Sequence, residues 1–528
     1  MLEVTASEAA VRQLPYAVPD RAAARPGTLA VIGIAAAKLA VQLAGVARYG
    51  FFRDELYYMA CGRHLAWGYV DQPPLIAFVA WLSSHLLGPS IVALRLWPIC
   101  AGALLVFATG MFARELGGGA FAQALASLSL LFAPAFLAFD SFFSMNAFEP
   151  LFWLACAWIA VRIVRGASPK WWLAFGLVAG IGLENKHTML VFGFAVVVGL
   201  LLSGEHRVFR SKWIWLAALV ALAVFLPNLI WEVRHGWPQI AVVRNAQRFK
   251  NVRIGPLRFL ADEVLFLHPV VLPVWLGGLA WYFRAPAARG VRFLGWAYIV
   301  VLALFLALDG KSYYLLPAYP MLLAAGGVAF EAFVAGPRRR WLRVAFPAVL
   351  VAAGLMTIPF GVPVLSIEGF LRYSQAFPYA HAVKIERDAT APVPQLYADM
   401  TGWPQMAAGV AKVYRALPPS ERPDCAILAG NYGEAGAIDY YGPALGLPAA
   451  ISGHNSYFDW GTRGYSGSCV ILFGERAAAH SSLFAESRLV AVLKNPYAMP
   501  SEQNVAVYLC RKPRAPLSAL WPRFKMII

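Results

Sequence analysis

Long apolar stretches separated by short polar loops fill the chain from Thr28 to about Val362. Their lengths lie near the roughly 20 residues that an α-helix needs to cross a bilayer. They predict an α-helical polytopic membrane domain of about 11 to 13 transmembrane helices. The clearest predicted spans cover about 28–48, 91–113, 119–139, 148–165, 171–185, 188–203, 213–231, 260–283, 291–308, 314–335 and 341–362.

The pattern changes after residue 362. Short strand-like segments at 425–430 and 469–474 alternate there with helix-like segments, and no run of spanning length follows. This predicts a C-terminal soluble α/β domain. The chain therefore divides into a polar tail (1–27), a transmembrane domain (28–362) and the α/β domain (363–528).

The apolar segment 73–88 is short for a span. If it crossed the bilayer, the acidic loops before it and after the third span would lie on opposite faces. If it lies along the interface as an amphipathic helix, both acidic loops share the outer face. Carboxylates at a membrane edge are costly, and one shared site explains both loops, so we prefer the interfacial helix within a first outer loop at 49–90.

Composition supports the membrane assignment. Hydrophobic residues make up 60% of the chain and charged residues only 14%, which excludes an ordinary soluble enzyme. The net charge of +17 would suggest nucleic acid in a soluble protein. Here the cations collect mainly in loops on one side of the predicted spans, which the positive-inside rule places in the cytoplasm. The N-terminus is then cytoplasmic, the α/β domain lies outside, and no nucleic-acid partner is predicted.

The first outer loop carries the strongest candidates for chemistry. Asp54 and Glu55 follow the first span closely, with Tyr57 and Tyr58 beside them. A carboxylate held at the interface is partly desolvated, which raises its proton affinity towards that of a general base. The alternative is that these acids only cap the next helix. Asp71 has a similar alternative as a turn residue before two prolines.

A second acidic loop places Asp140, Asn146 and Glu149 at the ends of two spans. They are candidates for positioning the reacting groups. The structural alternative for Glu149 is a carboxylate at a helix N-terminus, where the helix dipole favours negative charge.

Several cations lie on the outer face, against the positive-inside trend: Lys186, Lys311 and, in the loop at 231–258, Arg244 and Arg248. Such exceptions suggest an anionic partner, and a phosphate at the membrane edge fits, because Lys and Arg stabilise phosphoryl oxygens. The alternative is that they contact lipid headgroups or neighbouring acids.

In the α/β domain, a glycine-containing turn at 430–443 could bind an anion or a sugar, or could be a plain strand-to-helix turn. His454, Tyr457 and Trp460 are candidates for acceptor recognition, with the rings stacking on a sugar face. The sequence leaves open whether two of this domain's cysteines are bridged: Cys425, Cys469 and Cys510.

In order and combination these motifs resemble glycosyltransferase family 39 of the GT-C fold, which contains protein O-mannosyltransferases and lipid A aminoarabinose transferases. The resemblance covers roughly residues 28–336. It is carried by Asp54-Glu55, Asp71 in YVDQPPL, Glu149 in FEPLFW, Lys186, and Lys311 before YYLLPAYP. Gln72 stands where some aminoarabinose transferases have a lysine.

The resemblance implies transfer of a sugar, with inversion, from a polyprenyl-phosphate donor to a lipid, glycan or protein acceptor at the bacterial inner membrane. Asp54, paired with Glu55, would be catalytic, and the outer-face cations would hold the donor phosphate. The remaining candidates would position the substrates: Asp71, Glu149, Asp140, Asn146, Tyr57 and Tyr58. The scheme requires no metal and no other cofactor.

Two other classes compete with this interpretation. A transporter or flippase of lipid-linked sugars would also need many spans and cations at the membrane edge. Transporters, however, place ionisable groups near the midplane and show related halves, whereas these acids lie at span ends and no internal repeat is visible. A membrane scaffold or receptor would explain the outer domain but not the acidic loops.

Overall fold

The computed structural model describes residues 25–377 and 391–528, so most of the predicted cytoplasmic tail (1–27) lies outside the described residues. Up to Gly361 the described chain is helical, as the apolar pattern predicts. Its α-helices are α1 Arg25–Gly45, α2 Arg53–Arg63, α3 Leu75–Leu86, α4 Ile91–Glu115, α5 Ala120–Leu131, α6 Pro134–Phe139, α7 Met145–Val164, α8 Trp171–Asn185, α9 Met189–Leu202, α10 Lys212–Arg234, α11 Pro238–Asn245, α12 Pro256–Leu267, α13 Leu272–Arg284, α14 Arg292–Ala307, α15 Tyr319–Phe333 and α16 Leu342–Gly361.

Among the described residues, seven helical segments are long and apolar enough to cross a membrane, or eight if a bent pair is one span. Three other apolar helices are shorter: α3, α5 and α9. The polytopic helical fold is therefore confirmed, with fewer full-length helices than the sequence predicted. The seven segments are Gly27–Gly45, Ile91–Glu115, Met145–Val164, Lys212–Arg234, Pro286–Ala307, Ser312–Phe333 and Pro337–Gly361.

Prolines account for two of the differences. The predicted span 119–139 is split into α5 and α6, with Pro134 beginning the second helix. The predicted span 260–283 is split before Pro269, where the two halves meet at 98°. A proline lacks the N–H for the helix ladder and its ring disfavours helical geometry in the preceding residue. The prediction of continuous helices was wrong at both places.

The ambiguous segment 73–88 forms the 12-residue helix α3. At 1.5 Å per residue this helix is too short to cross a hydrocarbon core of about 30 Å. The two acidic loops also meet directly, because the backbone N–H of Phe143 donates to Glu55 Oε1 at 2.7 Å. Both loops therefore lie at the same end of the helices, as the interfacial interpretation predicts.

The C-terminal part combines short helices with one mixed sheet. The elements are α17 Ile367–Ser374, α18 Gln395–Ala398, α19 Trp403–Arg415, β1 Cys425–Ala429, α20 Tyr432–Tyr441, β2 Ile451–Ser452, α21 Ser456–Asp459, β3 Cys469–Phe473, α22 Ala477–Ser481, β4 Phe484–Lys494, β5 Asn504–Pro513 and α23 Leu517–Leu520. The strand order is β2-β1-β3-β5-β4, with β1 parallel to both neighbours and the remaining pairs antiparallel. The predicted strands at 425–430 and 469–474 are confirmed as β1 and β3.

A disulfide joins the middle of this sheet. Cys425 and Cys469 are direct partners in the β1–β3 ladder and are bridged. Cys510 is reduced and buried on β5. The question that the sequence left open is thus answered by the register of the sheet.

Helix α20 packs closely on helix α2 of the first outer loop. Two glycines on one face of α20 permit the approach: a Cβ at Gly433 would lie 2.3 Å from Arg53 Cγ, and one at Gly436 would lie 2.9 Å from Leu56 Cβ. Beside them the rings of Tyr57 and Tyr432 stack at 4.6 Å. The C-terminal sheet domain is therefore held directly over the acidic loop.

Candidate active site

A cavity of about 480 Å³ lies where the first outer loop, the ends of several membrane helices and the C-terminal domain meet. Much of its wall is aromatic or aliphatic. Two acids and three cations also line it: Asp54, Asp71, Arg53, Lys250 and Lys311. A largely apolar pocket with a few convergent charged groups is the arrangement expected for an active site.

Asp54 lies in the first turn of α2 and opens onto the cavity. The hydroxyl of Tyr432 donates to its Oδ1 at 2.8 Å, and Arg53 Nε lies 3.7 Å from the same oxygen. Its side chain is 28% exposed, so a substrate can reach it. The capping alternative does not apply to Asp54, because the capping box at this helix start uses Glu55.

Glu55, predicted to be catalytic with Asp54, is instead fully buried in a structural ion pair. Arg95 binds both of its oxygens, at 2.9 Å through Nε and 2.8 Å through Nη2. The backbone N–H groups of Phe52 and Phe143 donate to the same carboxylate at 2.6 and 2.7 Å. With both oxygens engaged and no place in the cavity wall, Glu55 holds the two acidic loops together. Nothing near Glu55 in the sequence points to this pair, because Arg95 lies 40 residues further along the chain.

Asp71 reaches the cavity from the other end of the first outer loop. Its Oδ1 accepts a hydrogen bond from Tyr57 at 2.7 Å and its Oδ2 accepts one from Asn455 at 3.0 Å. Burial raises the pKa of Asp71 from 3.8 to about 6, against the opposing effect of the Tyr57 hydrogen bond. Tyr57 is buried behind Asp71, whereas Tyr58 lines the cavity itself.

This raised pKa has an expected effect on stability. Because folded Asp71 holds its proton more tightly than the unfolded chain, its contribution to stability falls as pH rises from about 4 to 6 and is constant above that. Asp71→Asn removes this pH-dependent contribution. The unfolding temperature of the variant should therefore rise relative to that of the native chain as pH increases from about 4 to 6. Thermal unfolding of purified protein at a series of pH values tests this, with the exposed Asp424→Asn as control. A difference that does not change with pH would contradict it.

Glu149 and Asn146 hold Lys186 beside the cavity. Lys186 Nζ donates to Glu149 Oε2 and to Asn146 Oδ1, both at 2.8 Å, and lies 4.7 Å from the centre of the Tyr314 ring. Thr188 donates to the other oxygen of Glu149. Glu149 lies beyond the first turn of α7, which begins at Met145, so it is no helix-start carboxylate. Asn146 and Tyr314 line the cavity, and Lys186 stands directly behind them.

Asp140, another predicted positioning residue, is not brought to the cavity. It is 2% exposed and pairs with Lys38 of α1 at 2.7 Å. Lys38 also donates to the carbonyl oxygen of Phe136 at 3.0 Å. A carboxylate and an ammonium group that neutralise each other inside a helical bundle have a structural role, because either one alone would be costly to bury.

Only one of the predicted phosphate-binding cations outside the Glu149 pair lies in the cavity wall. Lys311 lines the cavity, whereas Arg244 and Arg248 do not, and Lys250 from the same segment does. Val242 and Ala246 line the cavity together with Lys250, so the lining residues of this segment are spaced four positions apart. This helical spacing is a signal that could have selected Lys250 from the sequence.

The predicted acceptor-recognition residues His454, Tyr457 and Trp460 are absent from the cavity wall. The buried hydroxyl of Tyr457 donates to Asp439 at 2.9 Å, and Trp460 stacks on His64 at 4.3 Å. His454 lies beneath the Tyr432 ring, and burial lowers its pKa well below 6.5. These rings pack the C-terminal domain onto α2.

The glycine-containing turn after β1 holds a carboxyl group from its own chain, that of Glu434. Glu434 Oε2 accepts hydrogen bonds from the backbone N–H groups of Gly430 and Asn431, at 2.9 and 3.2 Å. Asn431 Oδ1 accepts in turn from the backbone N–H of Glu434 at 2.9 Å. This reciprocal capping box favours the plain strand-to-helix turn over a ligand site.

The contacts from the C-terminal domain were missed by the sequence analysis. Tyr432 reaches Asp54, while Asn455 and Ser456 reach Asp71 and its neighbour Tyr57. Their distance of nearly 400 positions from the acids gave no local signal. Among the described residues no cluster of three or more His, Cys, Asp or Glu side chains could hold a metal ion. That sugar transfer needs no metal stays a prediction.

The described helices and sheet thus form a polytopic membrane protein with a charged cavity under a C-terminal domain, which is the GT-C fold. Structural comparison supports this: the crystal structure of ArnT from Cupriavidus metallidurans bound to undecaprenyl phosphate superposes with a TM-score of 0.59 at 17% identity, covering 90% of this chain and 97% of that one. Its apo structure gives 0.57 at 16% identity, with the same coverage.

Sequence comparison agrees. Residues 71–231 match the family described as dolichyl-phosphate-mannose-protein mannosyltransferase. The lipid A galacturonosyltransferase RgtD of Rhizobium johnstonii is 24% identical over 273 residues, which are 50% of this chain. The match spans only 56% of RgtD. Together these similarities confirm the resemblance to GT-C glycosyltransferases that the outer-loop motifs predicted.

Proposed function

We propose that this protein is a membrane glycosyltransferase that moves a sugar from a polyprenyl-phosphate donor, of the undecaprenyl-phosphate type, to a cell-envelope acceptor with inversion. The observation that carries the proposal is the cavity, in which Asp54 and Asp71 share one space with Lys250 and Lys311. Its fold is also that of ArnT, whose crystal structure contains undecaprenyl phosphate.

Asp54 is the proposed general base. It takes the proton from the acceptor hydroxyl as that oxygen forms its bond to the anomeric carbon, while the bond from that carbon to the phosphate oxygen breaks. The polyprenyl phosphate leaves with the bonding electrons. Attack on the face opposite the leaving group inverts the anomeric configuration.

Lys311 and Lys250 are the proposed contacts of the departing phosphate, because fixed cations in a site that excludes water stabilise developing negative charge. Lys186 adds to this field from behind Tyr314, at the cost that Glu149 neutralises part of its charge. Asp71 is proposed to orient the acceptor. The scheme requires no metal or other cofactor.

The charge distribution and the disulfide support the proposed orientation. The cationic loops favour a cytoplasmic N-terminus and a cavity on the outer face of the bacterial inner membrane. The bridge between Cys425 and Cys469 fits an oxidising compartment for the C-terminal domain, since cytosolic thiols are kept reduced. We propose that residues 363–528 form a periplasmic domain above the transmembrane domain at 28–362.

The acceptor is a lipid, a glycan or a protein of the envelope. RgtD is named for action on lipid A, so lipid A is one acceptor to test. Gln72, which stands where some aminoarabinose transferases have a lysine, is buried and donates to Cys61 Sγ at 3.6 Å. It therefore does not contact the contents of the cavity.

A transfer assay tests the proposal. Membrane vesicles that contain the protein are incubated with a panel of radiolabelled polyprenyl-phosphate sugars and an envelope extract, and label in the extract fraction is counted. Transfer from at least one donor is expected, with none in vesicles that lack the protein. Movement of lipid-linked sugar across the bilayer without transfer from any donor would support a flippase instead.

A comparison of a cation inside the cavity wall with one outside it gives a second test. Lys311→Met should lower kcat/KM on the order of 100-fold, because a fixed positive charge at the leaving phosphate is lost. Arg244→Met removes an exposed cation outside the cavity wall and should leave the rate near that of the native protein. Steady-state kinetics with a varied donor measure both. Equal losses in the two variants would mean that the outer-face cations act through general electrostatic attraction rather than through the cavity.

A further inference from the structure

Tyr432 is a residue of the C-terminal domain that lines the cavity of the membrane domain. Its hydroxyl lies 2.8 Å from Asp54 Oδ1, and its ring is otherwise enclosed, with 6% exposure. One face stacks on Tyr57 at 4.6 Å, and the Arg53 guanidinium lies 5.7 Å from the ring centre. The His454 ring packs against it as well, at 4.5 Å. Contacts with Asp54, Tyr57, Arg53 and His454 therefore leave the Tyr432 side chain little freedom.

The direction of the hydrogen bond follows from proton affinities. Burial raises the pKa of Tyr432 well above 10, so the phenol stays protonated. An ionised carboxylate can only accept, so the phenol donates. The hydrogen bond thereby fixes Oδ1 of Asp54, a side chain that lines the cavity.

The local sequence explains how the hydroxyl reaches Asp54. Tyr432 is the first residue of α20, directly after the capping residue Asn431. Gly433 and Gly436 allow that helix to approach α2, and Asp54 lies in the first turn of α2. The two helix starts thus bring the phenol and the carboxylate together across the domain boundary.

We propose that Tyr432 is a positioning residue for sugar transfer: the C-terminal domain supplies the hydrogen bond that aims Asp54 at the acceptor hydroxyl. This rests on the proposed role of Asp54 as the base. It also gives the C-terminal domain a direct part in the chemical step, besides any part in acceptor choice. Asn455 provides a parallel contact to Asp71 at 3.0 Å, so both acids of the cavity are held from the same domain.

The test compares two variants that each lose one tyrosine hydroxyl group at the same domain boundary. Tyr432→Phe keeps the stacked ring and removes only the hydroxyl, and kcat should fall about tenfold or more, as expected for a lost hydrogen bond to a charged group. The KM for the donor should change little, because the phosphate contacts are intact. Tyr440→Phe is the matched control: its hydroxyl donates to the carbonyl oxygen of Pro89 at 2.7 Å, also between the C-terminal domain and the first outer loop, but outside the cavity wall.

The outcomes are distinct. A fall in kcat for Tyr432→Phe alone, with unfolding temperatures equal in the two variants, supports positioning. Native kcat in Tyr432→Phe, or equal losses in both variants, would overturn it and leave the role of Asp54 untouched. If the native protein transfers no sugar from any polyprenyl-phosphate donor, the proposed function itself fails, and that result is recognised before either variant is measured.

Discussion

Replacing Asp54 with asparagine is expected to lower the rate of sugar transfer by about 10²- to 10⁴-fold, because the acceptor hydroxyl loses its proton acceptor. Asparagine keeps the size of the side chain and can still accept the hydrogen bond from Tyr432, so the cavity should persist. Binding of undecaprenyl phosphate, measured as protection against thermal unfolding, should be unchanged. The loss should therefore appear in kcat rather than in the KM for the donor.

Two comparisons make the Asp54 result specific. Asp424→Asn carries the same chemical change at an exposed position of the C-terminal domain and should transfer sugar at the native rate. Asp54→Asn should also unfold at nearly the native temperature, because Asp54 is partly exposed and no buried charge is left without a partner. Native activity in Asp54→Asn would remove the proposed base.

Removal of the neighbouring carboxylate should have a different effect. Glu55→Ala leaves the guanidinium of Arg95 buried without its partner and deprives two backbone N–H groups of their acceptor. Breaking a buried ion pair in this way costs about 3–5 kcal/mol. We expect a large fall in the unfolding temperature of the purified protein and a low yield of folded material, which thermal unfolding and size-exclusion chromatography measure.

The control is an exposed pair. Lys512→Ala disrupts the pair with Glu486, and both residues are largely solvated, so it should change the unfolding temperature little. The double change Glu55→Gln with Arg95→Met should recover part of the lost stability, since no buried charge then stands alone. If Glu55→Ala were folded at native stability but inactive, Glu55 would belong with the catalytic residues, as the sequence first suggested.

The sequence predicted the membrane domain, the C-terminal α/β domain and both acidic loops at one end of the helices, because spanning length and charge asymmetry are local properties of the chain. It also selected Asp54, Asp71 and Lys311, and all three line the cavity. Proline positions would have predicted two of the differences in the helices, since Pro134 and Pro269 stand where two predicted spans break.

The remaining errors concern partners that are distant in sequence. Glu55 and Asp140 resemble Asp54 in the sequence, and only their buried partners Arg95 and Lys38 separate them from it. The contact between Tyr432 and Asp54 joins two domains, so neither periodicity nor a motif could predict it. Tyr457 illustrates the converse, because an aromatic ring suited to stacking on a sugar is used in packing.

The most direct test of sugar transfer is a donor labelled in both the sugar and the phosphate, given to purified protein in sealed liposomes with an envelope acceptor. We expect the sugar label to appear on the acceptor and the phosphate label to stay with the polyprenyl carrier, which is released as polyprenyl phosphate. Both labels crossing the bilayer together on an intact carrier, with none on the acceptor, would contradict the proposed transfer and identify a flippase.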